Sequence, residues 1–163
     1  MAGMDDFGGE MRRMEVPNAI LLGHVKEALQ VGHTATINVK GYSMRPFLEN
    51  SKDKVRLAPP GVLRVGDAVL AEIARDVYVL HRIIIIDGDS VTLMGDGNLC
   101  GTEQCRKDDV VGVVTHYYHR GRMIAASDPR FRRRVRLWGK LLPWRRYLLY
   151  IYKIRLKLSN ILG

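Results

Sequence analysis

The alternation of hydrophobic and polar positions changes period twice along the chain. After Pro17, apolar residues recur at helical spacing through NAILLGHVKEALQVG, with Asn18 as a candidate cap and Gly32 as a stop. Residues 34–40 (TATINVK) then alternate and are rich in β-branched side chains, which is typical of a strand. The pattern predicts one N-terminal amphipathic helix followed by a β region.

Short apolar runs separated by turn signals continue this β region. The run VYVLHRIIIID is apolar on both faces and predicts a central strand. Its Asp87-Gly88 leads directly into SVTLMG, which is a strong hairpin signal. The other predicted strands are 55–59, 67–73 and 109–118. Strands at this spacing predict a mainly β, α+β fold built on a compact antiparallel sheet.

The helical period returns after Gly121. Apolar residues fall at steps of three or four from Phe131, Pro143 interrupts the run, and a second run continues to Ile154. Both runs alternate with Arg and Lys. We therefore expect three parts, which are a flexible tail over 1–14, a β domain with its N-terminal helix over 15–127, and a basic amphipathic helical extension over 128–163.

The net excess of positive charge lies entirely in that extension. The formal net charge is +9, yet residues 128–163 hold eleven Lys and Arg against Asp128 alone. This asymmetry indicates an anionic partner for 128–163. An anionic membrane surface and a helix docked on the β domain with a solvated basic face are equally favoured. Nucleic acid ranks third and is not expected as a partner, because Arg130 to Arg136 offer only nonspecific phosphate contacts.

Cysteine usage and the apolar segments indicate the compartment. Cys100 and Cys105 are too few for a disulfide framework, and no stretch approaches the roughly 20 apolar residues of a membrane span. With His116 and His119 the cysteines invite a zinc hypothesis, but their spacing is wider than that of paired ligands. We expect an intracellular, cytoplasmic protein, peripheral at the inner face of the membrane if 128–163 contacts lipid, and we expect no metal.

Three short segments carry candidate chemistry. Ser43 lies in Gly-Tyr-Ser-Met-Arg-Pro, directly after a predicted strand, where its backbone N–H is a candidate oxyanion donor. His81 lies among branched aliphatic residues, where a desolvated imidazole stays neutral and can accept a proton. Asp96 follows the hairpin in Gly-Asp-Gly-Asn and could orient a histidine. Taken singly, each also fits a plain role, as a turn serine, a core histidine and a turn aspartate.

Together the segments resemble the type I signal-peptidase and LexA-like superfamily of serine peptidases. Ser43-Met44-Arg45-Pro46 resembles the Ser-Met-x-Pro box, and Leu80-His81-Arg82-Ile83 resembles the general-base box of the histidine branch (endoplasmic-reticulum, archaeal and sporulation-associated). The remaining matches are Gly66–Leu70, Gly95–Asn98 and Val110–Val114. These five motifs occur in the family's order, over nearly half of the chain.

The resemblance implies a β-rich peptidase that binds a peptide or protein substrate in extended form. It implies Ser43 as nucleophile, His81 as general base and Asp96 as its orienter, with Gly41, Met44 and Pro46 around the oxyanion and substrate-binding turn. No metal or organic cofactor is implied. Many members of the histidine branch have a second Asp after the last box; here the following acids are Glu103, Asp108 and Asp109, in a different local setting.

The sequence thus predicts a serine endopeptidase that cleaves a peptide leader or a partner protein. Two alternatives remain open. One is a catalytically inactive, peptidase-like module that binds peptide or a membrane surface. The other is a self-cleaving regulator, although residues 1–40 are too short for a whole DNA-binding domain and His81 stands where that branch has lysine.

Overall fold

A computed structural model describes residues 18–162, so the predicted tail over 1–14 lies outside the described residues. The helices are α1 (Asn18–Gln30), α2 (Pro129–Lys140) and α3 (Arg145–Leu162). The strands are β1 (Ala35–Asn38), β2 (Lys54–Ala58), β3 (Ala68–Ala74), β4 (Val77–Asp87), β5 (Ser90–Met94), β6 (Glu103–Arg106), β7 (Val110–His119) and β8 (Arg122–Ala125).

One antiparallel sheet organises the domain. Its strand order is β1-β2-β7-β3-β4-β5-β6, with β8 paired to β7. The prediction of a mainly β, α+β fold with an N-terminal helix and a helical C-terminal segment is confirmed. The predicted hairpin is also present, since β4 and β5 pair from Asp87 and Ser90 inward and Gly88 has the positive φ that this turn requires.

The two faces of the sheet bury different sets of apolar side chains. Side chains alternate between faces along a strand, so neighbours such as Val69 and Leu70 of β3 enter separate core clusters. Helix α1 contributes Leu22, Val25 and Leu29 to the cluster that also holds Leu70. Full burial of such a side chain contributes roughly 1.5–3 kcal/mol, and these two cores hold the strands in register.

Strand β4 lies between β3 and β5, as a central strand should, but its far half is less buried than the sequence predicts. Ile83 is buried, whereas Ile84 and Ile85 are exposed. The β4–β5 register shifts by one residue between Ile83 and Ile85. Such a bulge turns the following side chains relative to the core, which a simple alternation does not foresee.

Helix α2 packs on the sheet. Asp128 caps its start by accepting hydrogen bonds from the backbone N–H groups of Arg130 and Phe131. Phe131 and Val135 are buried in the core, and the Phe131 ring lies 4.6 Å from that of Tyr117 on β7. Helix α2 is therefore docked on the β domain, which is one of the two alternatives that the sequence left open for 128–163. Among residues 18–162, no helix combines the length and apolar character needed to cross a membrane.

Candidate active site

The loop between β1 and β2 carries the candidate nucleophile. Ser43 is partly exposed at the turn, while the next side chain, Met44, is buried in the core and holds the loop down. Gly41 has a φ of +84°, a left-handed conformation that glycine adopts without strain, and its N–H donates to Asn50 Oδ1 over 2.9 Å. The serine is thus presented on a short turn anchored on both sides.

His81 is held by a carboxylate on the neighbouring part of the sheet. Its Nδ1 lies 2.8 Å from Glu103 Oε2, and its side chain is 9% exposed against 27% for Glu103. The register explains the meeting, because Leu93 of β5 pairs with both Ile83 and Glu103, and His81 shares a face with Ile83. A carboxylate that accepts from Nδ1–H leaves Nε2 as the ring nitrogen that can take a proton.

Arg82, the next residue on β4, points to the opposite face and binds Asp96. Its Nε and a terminal nitrogen donate to the two Asp96 oxygens over 2.8 and 2.6 Å, and both side chains are nearly fully buried. Burial disfavours the charged guanidinium, but Asp96 and Tyr117 outweigh this effect and raise the pKa of Arg82. The third Arg82 nitrogen donates to Gly66 O over 2.8 Å. The charged Arg82–Asp96 pair therefore connects β4, the turn after β5 and the loop before β3.

The acid that contacts His81 is therefore not the predicted one. The expectation that Asp96 orients His81 does not match the hydrogen bonds, because both Asp96 oxygens are used by Arg82. The physical reason is the period of a strand, which sends His81 and Arg82 to opposite faces. Glu103 was among the acids noted in the sequence, but β6, which positions it, was not predicted.

The glycine-rich turn after β5 contacts the Ser43 backbone, and β5 pairs with β4, the strand that carries His81. The pairing of β4 with β5 ends at Arg82 and Met94, so Gly95 is the first residue after the paired segment. A Cβ on Gly95 would lie only 2.5 Å from the Ser43 carbonyl oxygen, and the Gly97 N–H donates to that same oxygen over 2.7 Å. The serine turn is thus in direct contact with the turn that follows β5. Within the described chain, the Ser43 hydroxyl and His81 form no hydrogen bond.

The serine turn contains backbone N–H groups that make no hydrogen bond within the described residues. Among residues 18–162, neither the Ser43 nor the Met44 N–H has a hydrogen-bond acceptor. Met44 as a whole residue is only 2% exposed, so it supports the turn from the core, whereas Ser43 is partly exposed. Gly41 supplies no hydroxyl, and Pro46 is half-buried beside Phe47. An oxyanion near Ser43 would therefore rely on main-chain N–H groups.

The C-terminal helices hold the turn at 95–98, which the sequence did not indicate. From α2, Trp138 Nε1 donates to the Asp96 carbonyl oxygen over 2.8 Å. From α3, the buried Arg145 donates to the Asn98 carbonyl oxygen over 3.0 Å. Helix α3 also reaches the serine loop, because the Tyr152 hydroxyl donates to Glu49 over 3.2 Å. The predicted extension is thus part of the scaffold of the site.

A cleft of about 300 Å³ opens beside the serine turn. It lies between the turn residues Tyr42 and Gly97 on one side and α3 on the other, where Arg146, Tyr150 and Lys153 line it. Its lining mixes apolar and cationic side chains and includes Tyr42, the neighbour of Ser43, but neither Ser43 nor His81. A larger cavity of about 740 Å³, near α1 and Lys107, is bordered by neither Ser43 nor His81.

The cysteines and histidines considered for zinc do not come together. Within residues 18–162, no group of three or more His, Cys, Asp or Glu side chains could hold a metal ion. Cys100 is exposed, and burial together with Asp109 raises the pKa of the Cys105 thiol. A raised pKa favours the protonated thiol, which is a poor metal ligand.

Comparison with known proteins leaves the family open. No family model matches the chain, and no curated protein and no solved structure shows significant similarity to it. The functional argument therefore rests on the residues and geometry of the chain itself.

Proposed function

We propose that this protein is a serine endopeptidase in which Ser43 is the nucleophile, His81 the general base and Glu103 the residue that orients His81. The observation that carries the proposal is the 2.8 Å contact between His81 Nδ1 and Glu103 Oε2, on a strand whose neighbouring turn contacts Ser43. A histidine with one nitrogen held by a carboxylate and the other unpartnered in the described chain is equipped for proton transfer.

The proposed chemistry is acyl transfer. Ser43 Oγ attacks a peptide carbonyl carbon while its proton moves to His81 Nε2, and Glu103 stabilises the resulting imidazolium. The C–N bond then breaks as Nε2 gives that proton to the leaving amine. Water repeats the sequence on the acyl-enzyme and releases the new carboxyl terminus. The Ser43 N–H would stabilise the oxyanion.

The substrate class follows from the cleft beside the serine turn. A peptide leader or an extended segment of a partner protein could lie between Tyr42 and α3, where Arg146 and Lys153 would favour an acidic side chain. The choice of an endopeptidase rests on the family resemblance of the five motifs.

The direct test is acylation of the full chain by a fluorophosphonate probe, read by intact-mass and peptide mass spectrometry. We expect one adduct on Ser43, formed by attack of Oγ on phosphorus with loss of fluoride. Ser43→Ala should abolish the adduct, and Ser51→Ala, which changes an exposed serine hydrogen-bonded to Asn50, should leave it unchanged. His81→Ala should slow labelling by about 10²-fold or more.

Cleavage is then measured with a mixed peptide library of which the products are sequenced. Cuts that require both Ser43 and His81 support an endopeptidase. Equal labelling of wild type and His81→Ala would remove His81 from the mechanism. Absence of both labelling and cleavage would favour the inactive peptide-binding module, and cleavage of the chain itself under alkaline incubation would favour the self-cleaving regulator.

A further inference from the structure

Helix α3 has two apolar faces, of which only one is docked. At about 100° per residue, Leu149, Tyr152 and Leu156 fall on one side of the helix. Leu149 is buried, and Tyr152 reaches Glu49 of the serine loop. The opposite side forms a second line of apolar residues, which we call the apolar stripe. It consists of Tyr147, Tyr150, Ile151, Ile154, Leu158 and Ile161.

Every side chain of the apolar stripe faces solvent. Exposures run from 40% at Ile154 to 77% at Ile161, and no side chain within residues 18–162 covers the stripe. Single exposed apolar residues are common, but a continuous line along a helix of 18 residues, about 27 Å long, is not. Continuous apolar surface of this kind indicates an interaction site.

The charges beside the stripe define the partner. Arg146, Lys153 and Lys157 border the stripe along one edge, and Arg155 lies along the other. From Pro129 to Leu162 there is no acidic residue, so no negative charge offsets these cations on either helix. A surface that offers apolar contact in the middle and negative charge on both sides would complement this face.

Aromatic residues at the start of the helix add to the same surface. The exposed Trp144 ring lies 6.4 Å from that of Tyr147, directly before the stripe. Trp and Tyr have an apolar body and a polar tip, which suits the boundary between lipid headgroups and acyl chains. Tyr150 places a third ring on the stripe.

We propose that the apolar stripe of α3 binds the surface of an anionic lipid bilayer, with the helix lying parallel to the membrane plane. The stripe enters the region between headgroups and acyl chains, and the flanking cations contact anionic headgroups. The docked face keeps the domain on the aqueous side. The proposal does not depend on peptidase activity, but it would bring the cleft beside Ser43, which Tyr150 and Lys153 also line, close to the bilayer.

The experiment is flotation of the full chain with lipid vesicles. Vesicles with about 30% phosphatidylglycerol should bind the protein at least tenfold better than pure phosphatidylcholine, because each engaged cation contributes about a fivefold gain. Binding should fall several-fold between about 0.1 M and about 0.5 M salt. Ile154→Glu with Leu158→Glu should reduce binding by more than tenfold.

A matched control uses exposed apolar residues away from α3. Val62→Glu with Met123→Glu adds the same charge at side chains that are 86% and 63% exposed, and it should bind vesicles as wild type does within about twofold. Thermal melts of both double variants show whether the fold is retained.

Three outcomes would overturn the proposal. If wild type floats with neither vesicle type, the apolar stripe does not bind a membrane surface. Equal loss of binding in both double variants would assign the effect to net charge rather than to the stripe. A dimer in sedimentation equilibrium that the Ile154→Glu, Leu158→Glu variant dissociates, without vesicle binding by wild type, would assign the stripe to a second copy of the chain.

Discussion

Two neighbouring residues of β4 hold carboxylates in contrasting ways. Arg82 and Asp96 form a two-point contact in the core, whereas His81 and Glu103 meet by one ring nitrogen on the other face, where Glu103 is 27% exposed. The buried pair also engages Gly66 and the Phe47 ring, which lies 5.3 Å from the guanidinium. Within residues 18–162, the side chains of His81 and Glu103 make no other side-chain hydrogen bond.

This difference indicates a division of roles. Breaking a fully buried ion pair leaves an uncompensated charge in the core, so such a pair chiefly affects stability. Glu103, which is 27% exposed, is partly screened by water, so its contact with His81 adds less to the free energy of unfolding. It can nevertheless set the tautomer of a histidine, which matters for chemistry. Substitutions in the Arg82–Asp96 pair should therefore mainly lower stability. Substitutions in the His81–Glu103 pair should mainly lower reactivity.

Asp96→Asn should give the largest effect on stability. The neutral amide leaves Arg82 charged and buried, which should lower the free energy of unfolding by about 3–5 kcal/mol and the melting temperature by roughly 10 °C. Fluorophosphonate labelling of Ser43, measured where the variant is still folded, should remain within about tenfold of wild type. An unchanged melting temperature with labelling reduced by about 10⁴-fold would return Asp96 to the role of orienter.

Glu103→Gln should show the opposite profile. Loss of the carboxylate removes the charge that stabilises protonated His81, so labelling of Ser43 should slow by about 10²-fold. The free energy of unfolding should change by only about 1 kcal/mol or less, because Glu103 is partly solvated. Asp108→Asn, at a nearby exposed acid, provides the control. Labelling as fast as wild type in Glu103→Gln would exclude Glu103 from the proton transfer.

The contrast also shows which parts of the fold the sequence could predict. A run that is apolar on both faces identified β4, and the Asp87-Gly88 signal identified its hairpin with β5. Alternation even implied that His81 and Arg82 point to opposite faces. Pro143 correctly indicated the break between α2 and α3. These features depend on residues close together in the chain, where sequence patterns carry most information.

The partners of His81 and Arg82 could not be predicted in the same way. They depend on the register among β4, β5 and β6, which includes a bulge. β6 has only four residues, EQCR, and Cys105 is its one apolar position, so no alternation marked it as a strand. The hydrogen bonds from Trp138 and Arg145 to the turn at 95–98 join segments more than 40 residues apart in the sequence. Contacts of this kind follow from packing, which local patterns do not encode.

The smallest predicted effect concerns Gly95, in the turn that follows β5. Gly95 comes directly before Asp96 and directly after the last β4–β5 pair, and a Cβ there would approach the Ser43 carbonyl oxygen to 2.5 Å. Gly95→Ala should therefore displace the serine turn by at least about half an ångström, lower stability by about 1–2 kcal/mol and slow labelling of Ser43 roughly tenfold.

Gly23→Ala is the matched control for this change, because a Cβ at Gly23, within α1, meets nothing within 4 Å. It should be neutral or stabilising by up to about 1 kcal/mol and should leave labelling unchanged. If Gly95→Ala lowers stability as expected but labels at the wild-type rate, the serine turn tolerates displacement. In that case the contact between the turn and β5 belongs with Arg82 and Asp96, as part of the scaffold, and not with His81.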